Sequence, residues 1–285
     1  MTVLEELVHW ASALRLDDVP DHVVGYAKSQ IVSQLAATRA GLAHPLGQRV
    51  VRAFGPPRQS DPKQAACALA ALTTWLHFDD TAYAGHLSHS TVAVPVAYAQ
   101  RLHMDGSQLL SSVIAANECA ARITAAATLG PFRGLSAAHT HLAGSVAARL
   151  RGEQAPAQTW VDALGLAFAS PPWSLTHPFF TSDARVLCAA TPIRMGLDAC
   201  DAAAAGLCGS ADIFEHPDGF LAQFARVPIA NAINDRLGQR WHTETTSFKV
   251  HPGGPGIDAA IDCAALLHDD LGDFEVDDVA EVRVE

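Results

Sequence analysis

The segment DPKQAACALAALTTWLHF, residues 61–78, is apolar almost all the way round a helical wheel. A helix of that kind is stable only when buried, with neighbours on every side. Asp61 offers a starting cap and Pro62 a pre-set first turn. Composition points the same way. Hydrophobic residues make up 49% of the 285 residues and aromatic residues only 7%, a mix that suits close-packed helices better than a β-sandwich.

Apolar spacing and cap signals predict further helices. They fall at 3–14, from Pro20-Asp21 to Gly41, over 45–54 before Gly55, from near Thr91, and from Asp105 to Gly130. Others fall at about 137–150, 156–169, 183–207, 218–224 and 257–268. The start near Thr91 follows from Pro95, which a helix tolerates only in its first turn. Pro192 predicts a kink or a helix start inside the 183–207 segment. FEVDDVAEVRVE, at 274–285, alternates through Val279, Val282 and Val284 and reads as the one strand. A lone strand cannot satisfy its own backbone, so this one needs a pairing partner.

The net charge of −11, with no cluster of Lys or Arg, argues against nucleic acid or an anionic membrane as partner. Six scattered cysteines, most in alanine-rich helical contexts, read as small buried hydrophobes in a reducing compartment. The acidic amphipathic start MTVLEELVHW is no signal peptide, and no apolar run reaches membrane-spanning length. A cytoplasmic protein is the expectation.

Proton-carrying groups concentrate in WLHFDDTAYAGHLSHSTVAVPVAYAQRL, residues 75–102. His77, His86 and His89 lie close together, with Asp79, Asp80 and Thr81 between them. A histidine beside an aspartate supplies both a base of suitable pKa and a group to orient it. Asp79 and Asp80 are equally suited to capping helix ends. The same side chains are chemically able to bind a metal, but they lack the H-x-x-x-H or H-x-H spacing that preorganises ligands, so no metal is expected. His139 and His141 are two apart and point about 200° away from each other on a helix, so they cannot both line one pocket. Arg133, Arg194 and Lys249 are candidate carboxylate anchors, Arg133 before a helix start and Lys249 before the glycine-proline turn at 252–256.

In this order the pieces resemble the MmgE/PrpD family, which includes 2-methylcitrate dehydratases, cis-aconitate decarboxylases and iminodisuccinate epimerases. LHFDDT (76–81) is similar to the family's L-D-F/Y-D-D-T, and SHSTVAVPVAYAQRL to its H-P-S/G segment. RGLSAAHTHLAGSVAARL resembles R-G-F-H-x-T followed by an alanine-rich helix. RMGLDACDAAAAGLCGSADIFEHPDGF, KVHPGGPGIDAAIDCAALL and VDDVAEVRV resemble later family segments. The resemblance implies a large all-α helical domain, here residues 1–270, and an α/β lid of which 271–285 would be the first strand, truncated or supplied by another chain. It also implies a homodimer, or a hetero-oligomer with a lid-supplying chain, and chemistry without metal or organic cofactor.

Several family positions are exchanged. The first acid of L-D-F-D-D-T is His77, while its threonine remains as Thr81. The H-P-S/G histidine matches His89. The R-G-F-H histidine falls on Ser136, a lysine on Thr191, and two further histidines on Arg194 and Gly254. The expectation is a cofactor-independent lyase, dehydratase or decarboxylase in type, acting on a small carboxylated metabolite. His89 and His77 would move protons, Asp80 would orient a histidine and Thr81 would bond the substrate. His86, Arg133, Ser136, Thr191, Arg194 and Lys249 would bind it. An isomerase or epimerase, or a non-catalytic half-enzyme, are the alternatives.

Overall fold

The computed structural model describes residues 1–83, 85–128 and 137–283. Its helices are α1 (Val3–Ala13), α2 (Asp21–Ala43), α3 (Pro45–Phe54), α4 (Pro62–Leu76), α5 (Ser88–Thr91), α6 (Ala93–Ala99) and α7 (Gly106–Ala126). After these come α8 (Ala137–Gly152), α9 (Ala157–Ala169), α10 (Thr176–Thr181), α11 (Arg185–Ala204), α12 (Phe220–Phe224) and α13 (Asp258–Leu271). Two short antiparallel ladders tie loops to the bundle. β1 (Asp80–Thr81) pairs with β4 (Ser247–Phe248), and β2 (Ala127–Thr128) with β3 (Val227–Pro228). The architecture is all-α. No helix among the described residues is long and apolar enough to cross a membrane.

Two helices form the interior, and both are buried on every side along most of their length. Each residue of α4 from Ala65 to Thr74 is buried, as is each residue of α7 from Ser111 to Thr124. α2, α3, α6 and α11 pack around α4, while α8 lies against α7 and α11. Start signals are where the sequence puts them. Asp61 caps α4, and Asp105 with Gln108 forms a capping box on α7. At Gly144 of α8 an added Cβ would collide with Ser90 and Thr91, so the glycine lets α8 lie directly on α5.

The structure corrects four expectations. The helix expected from Thr91 is two short ones, broken at Val92, because Pro95 has no N–H to return to the Thr91 carbonyl. Pro192 is not a helix start, since α11 runs through it, with its packing on α4, α8 and α9 offsetting the lost hydrogen bond. Residues 279–283 belong to no ladder, and Val276–Asp278 is a 3-10 turn. A strand exists only when paired, and no described segment pairs with this one; Val284 lies outside the described residues. No residue of α13 is buried. Finally, Cys67, Cys119 and Cys200 are buried, but Cys208 and Cys263 are exposed.

A fully buried ion pair fastens the irregular segment after α12 to the bundle. Glu118 and Arg122, one turn apart on α7, are both 0% exposed and 3.1 Å apart. Arg122 donates to the carbonyls of Ile233 (3.2 Å), Asp235 (2.8 Å) and Arg240 (2.5 Å). The Glu118 carboxylate accepts from the N–H groups of His242 (3.1 Å) and Thr243 (2.8 Å) and from the Thr243 hydroxyl (2.8 Å). Burial pushes the Glu118 carboxyl up, and Arg122 and these donors pull against that shift. Replacing Arg122 by Ala leaves a buried carboxylate and three carbonyls unpaired. The expected loss is about 3–5 kcal/mol of unfolding free energy, measured by urea denaturation.

His139 packs edge-on against Phe220 (4.7 Å between centroids) and lies near Trp173 (5.9 Å) and Phe224 (5.8 Å). Burial lowers its pKa to about 4. A ring with a lower pKa when folded than when unfolded binds a proton more readily in the unfolded chain, so stability falls as pH drops from about 6.5 towards 4. Between pH 7.5 and pH 5 this histidine should cost about 2 kcal/mol of stability. Denaturation of His139→Leu at both pH values is expected to show a smaller acid loss than the natural chain.

Candidate active site

The site begins where α4 ends. His77 adopts the left-handed conformation (φ 51°) and its N–H bonds back to the Thr74 carbonyl, closing the helix. Only glycine enters that region without penalty. The turn sends the chain into β1, whose pairing with β4 brings Lys249 against the helix end. The Lys249 ammonium donates to the His77 carbonyl (2.9 Å) and to Asp79 Oδ1 (2.7 Å). Gly253 N–H reaches the same His77 carbonyl at 3.2 Å.

Asp79 and Asp80 are neighbours with opposite duties, because adjacent side chains on extended backbone point to opposite faces. The Asp80 carboxylate accepts from the N–H groups of Leu87 (3.0 Å) and Ser88 (3.1 Å) and from Gln30 Nε2 (2.7 Å). It thereby ties the start of α5 to α2. Asp79 turns towards the histidines, its Oδ2 lying 2.7 Å from His86 Nδ1 and 3.0 Å from His89 Nε2. Neither ring N–H lies along the line to Oδ2, so these are close electrostatic contacts, and Asp79 Oδ2 and His89 Nε2 have no aligned partner.

Four imidazoles run in a row beside this carboxylate. Ring centroids are 4.9 Å apart for His77–His86, 5.6 Å for His86–His89 and 5.2 Å for His89–His141. Thr73 Oγ1, one turn before His77 on α4, bonds His89 Nδ1 at 2.8 Å. His141 Nδ1 lies 3.4 Å from the Ser90 hydroxyl, and Phe179 of α10 packs edge-on against His77. The His86 side chain is 15% exposed and that of His89 only 1%, so the row runs inward from a rim at His86.

Charge is distributed unevenly along the row. Burial opposes ionisation of Asp79, but the His86 and His89 rings hold its carboxyl well below the usual range. Burial likewise opposes charge on His86, and the Asp79 carboxylate overcomes it, raising the His86 pKa. His77 is driven down to about 3 by burial, then by His86 and Lys249. Burial and the nearby His89 and His86 keep His141 well below an ordinary imidazole.

The family model described as MmgE/PrpD N-terminal domain matches residues 5–231. The chain belongs to the MmgE/PrpD family. No curated protein matches it. The family is generally enzymatic, of dehydratase or decarboxylase type. In this MmgE/PrpD chain, Lys249 of the candidate site lies beyond the matched span.

Not every candidate from the sequence converges here. His77 and His89 do not face each other directly; His86 stands between them. The carboxylate beside the histidines is Asp79 rather than Asp80, for the alternation just given. Thr81 sits in β1 opposite Ser247, and among the described residues its hydroxyl makes no bond to the imidazoles. Arg194 donates to Gln64 at the start of α4, about 20 Å along that helix from His77. Thr191 is exposed beside an apolar groove of about 300 Å³ that includes Trp173, Leu175 and Phe179. Lys249 is committed to Asp79 rather than free to anchor a guest. Arg133 and Ser136 lie outside the described residues. Three participants had no role assigned from sequence: Thr73, Phe179 and His141. Thr73 was discoverable, since it lies four residues before His77 on the same helical face; the others reach the site only through packing.

The two aspartates differ in what their loss exposes. Asp79→Ala strands the buried Lys249 ammonium and is expected to cost about 3–5 kcal/mol. Asp80→Ala frees two backbone N–H groups and Gln30, at about 1–3 kcal/mol. Urea unfolding of the two variants side by side checks the order.

Proposed function

We propose that this chain is a lyase of dehydratase or decarboxylase type that moves a proton on a small carboxylated metabolite. One observation carries the reading: a buried Asp79 carboxylate stands between two imidazoles and Lys249, with His89 Nε2 lacking an aligned partner. Such a group of unlike titratable side chains, shielded from water, is an arrangement suited to acid–base work.

In this reading the His77–His86 rim receives the substrate carboxylate. His89 Nε2 takes the proton from the adjacent carbon while Thr73 holds the other ring nitrogen. The electron pair left on carbon forms a double bond as a hydroxyl departs, taking up a proton to leave as water. In a decarboxylation no proton is removed first: the carbon–carbon pair stays on carbon as carbon dioxide leaves, and a protonated His89 gives its proton to that carbon. Returning the proton to the opposite face instead would make the enzyme an isomerase or epimerase. Substituting His89 by Gln is expected to lower kcat about 10²–10⁴-fold with KM little changed. The measurement is appearance of the conjugated double bond or of carbon dioxide across a panel of hydroxy- and polycarboxylic acids. Unchanged turnover in a folded His89→Gln chain excludes His89 as the base.

A second reading has its own support. Leu266, Leu267 and Leu271 of α13 are exposed, as is Phe274 after it. That apolar face suits a half-enzyme whose lid comes from a different chain in a hetero-oligomer. Activity that appears only on mixing with such a chain favours this reading, and turnover by the isolated chain rules it out.

A further inference from the structure

Where the family pattern has an acid this chain has His77, and the exchange creates two facing imidazole nitrogens. His77 Nε2 and His86 Nε2 are 3.2 Å apart, with the ring planes crossing at 67°. His86 Nδ1 lies 2.8 Å from the Asp80 carbonyl. A carbonyl only accepts, so Nδ1 carries a hydrogen, and once Nε2 releases its proton to an incoming ion the ring presents a lone pair there, towards His77. Metal-bound histidines are held in this way, the far nitrogen donating to a carbonyl or carboxylate.

The spacing fits an ion. Two nitrogens bound at 2.0–2.1 Å to one tetrahedral centre are roughly 3.3–3.4 Å apart. Asp79 supplies the third donor: one ligand atom from each of His77, Asp79 and His86 lies within 4.8 Å of the other two. Its Oδ2 is buried with the His86 and His89 ring nitrogens 2.7 and 3.0 Å away, but with no aligned donor. Lys249 bonds only Oδ1, so an ion would compete for Oδ2 with those two rings alone. The backbone turn at His77 and the edge of Phe179 hold the first ring, and the Asp80 carbonyl holds the second. Lys249 and Asp79 cancel in charge, so a divalent ion would leave the rim strongly positive.

We propose that His77, His86 and Asp79 bind one divalent first-row transition-metal ion, leaving a coordination position for an oxygen atom of a guest. Two imidazoles and one carboxylate suit zinc, cobalt or ferrous ions better than magnesium or calcium, which prefer all-oxygen sites. The site stands apart from the lyase reading, since metal uptake needs no substrate. The two readings also meet chemically: an ion at the rim would hold the carboxylate beside His89.

The test is calorimetric titration of the chelator-stripped full chain with zinc chloride, repeated with cobalt chloride while recording the visible spectrum. The expected result is one ion per chain, a raised melting temperature, and the intense cobalt bands of a four-coordinate N/O site. His77→Gln and His86→Gln are each expected to weaken uptake by more than the roughly 10–100-fold that loss of an outer partner alone costs. His251→Gln, which alters a half-buried histidine paired with Asp262, should leave it unchanged. If a variant does not fold, the ring nitrogen NMR shifts of His77 and His86 in the natural chain decide, moving with zinc if the proposal holds. No uptake by the folded chain overturns it, as does uptake that leaves both rings unperturbed or persists equally in folded His77→Gln and His86→Gln chains. In those cases the nitrogens share a hydrogen bond, and any zinc sits on surface histidines.

Discussion

The Asp79 carboxylate has no contact with solvent, and an ionised carboxylate in that position must be paired or the fold loses several kcal/mol. Its partners come from three separate parts of the chain. Lys249 arrives on the far strand of the β1–β4 ladder, His86 from the loop after β1, and His89 from α5. Each of those segments is itself fastened: β4 by Asp80–Thr81, the loop end and α5 by the Asp80 carboxylate, and the approach to β4 by Glu118 on α7. A short run of adjacent acids thus organises chain separated by about 170 positions.

The rest of the molecule supplies a rigid frame for that arrangement. α4 and α7 have no solvent-facing side along most of their length, so their ends are fixed by packing on every flank. α4 delivers Thr73 and His77 from its last turn. α7, through Glu118 and Arg122, holds the irregular 233–242 segment and the start of the 3-10 turn at Thr243. Gly144 allows α8 close enough to α5 to set His141 behind His89. A row of four imidazoles follows from helix contacts, although no two of those residues share a helix.

Much of the helical layout was legible because periodicity, caps and prolines act locally. α1 to α4 and α9 begin and end close to their sequence signals, and α7 begins at its cap but ends at Ala126, where β2 takes over before the expected Gly130. The opposed duties of His139 and His141 were legible too, from helical geometry alone. The strand expected at 274–285 does not form among its described residues, for a physical reason: alternation shows that a segment is able to pair, and pairing depends on a partner that the sequence pattern does not contain. Asp79 and Asp80 were not separable for a related reason. Both are good caps and both are good partners for histidine, and only the register of β1 against β4 assigns one to each task.

The sequence by itself determined an all-α bundle around α4, the MmgE/PrpD resemblance, and a histidine-rich turn after α4. These rest on short-range spacing and on residue types, which do not depend on distant contacts. Tertiary structure alone decided that Asp79 is the buried charge, that His86 lies between His77 and His89, and that Arg194 is spent on Gln64. Those outcomes turn on which side chains meet across the bundle, and a meeting of that kind is fixed by packing and strand register rather than by position along the chain.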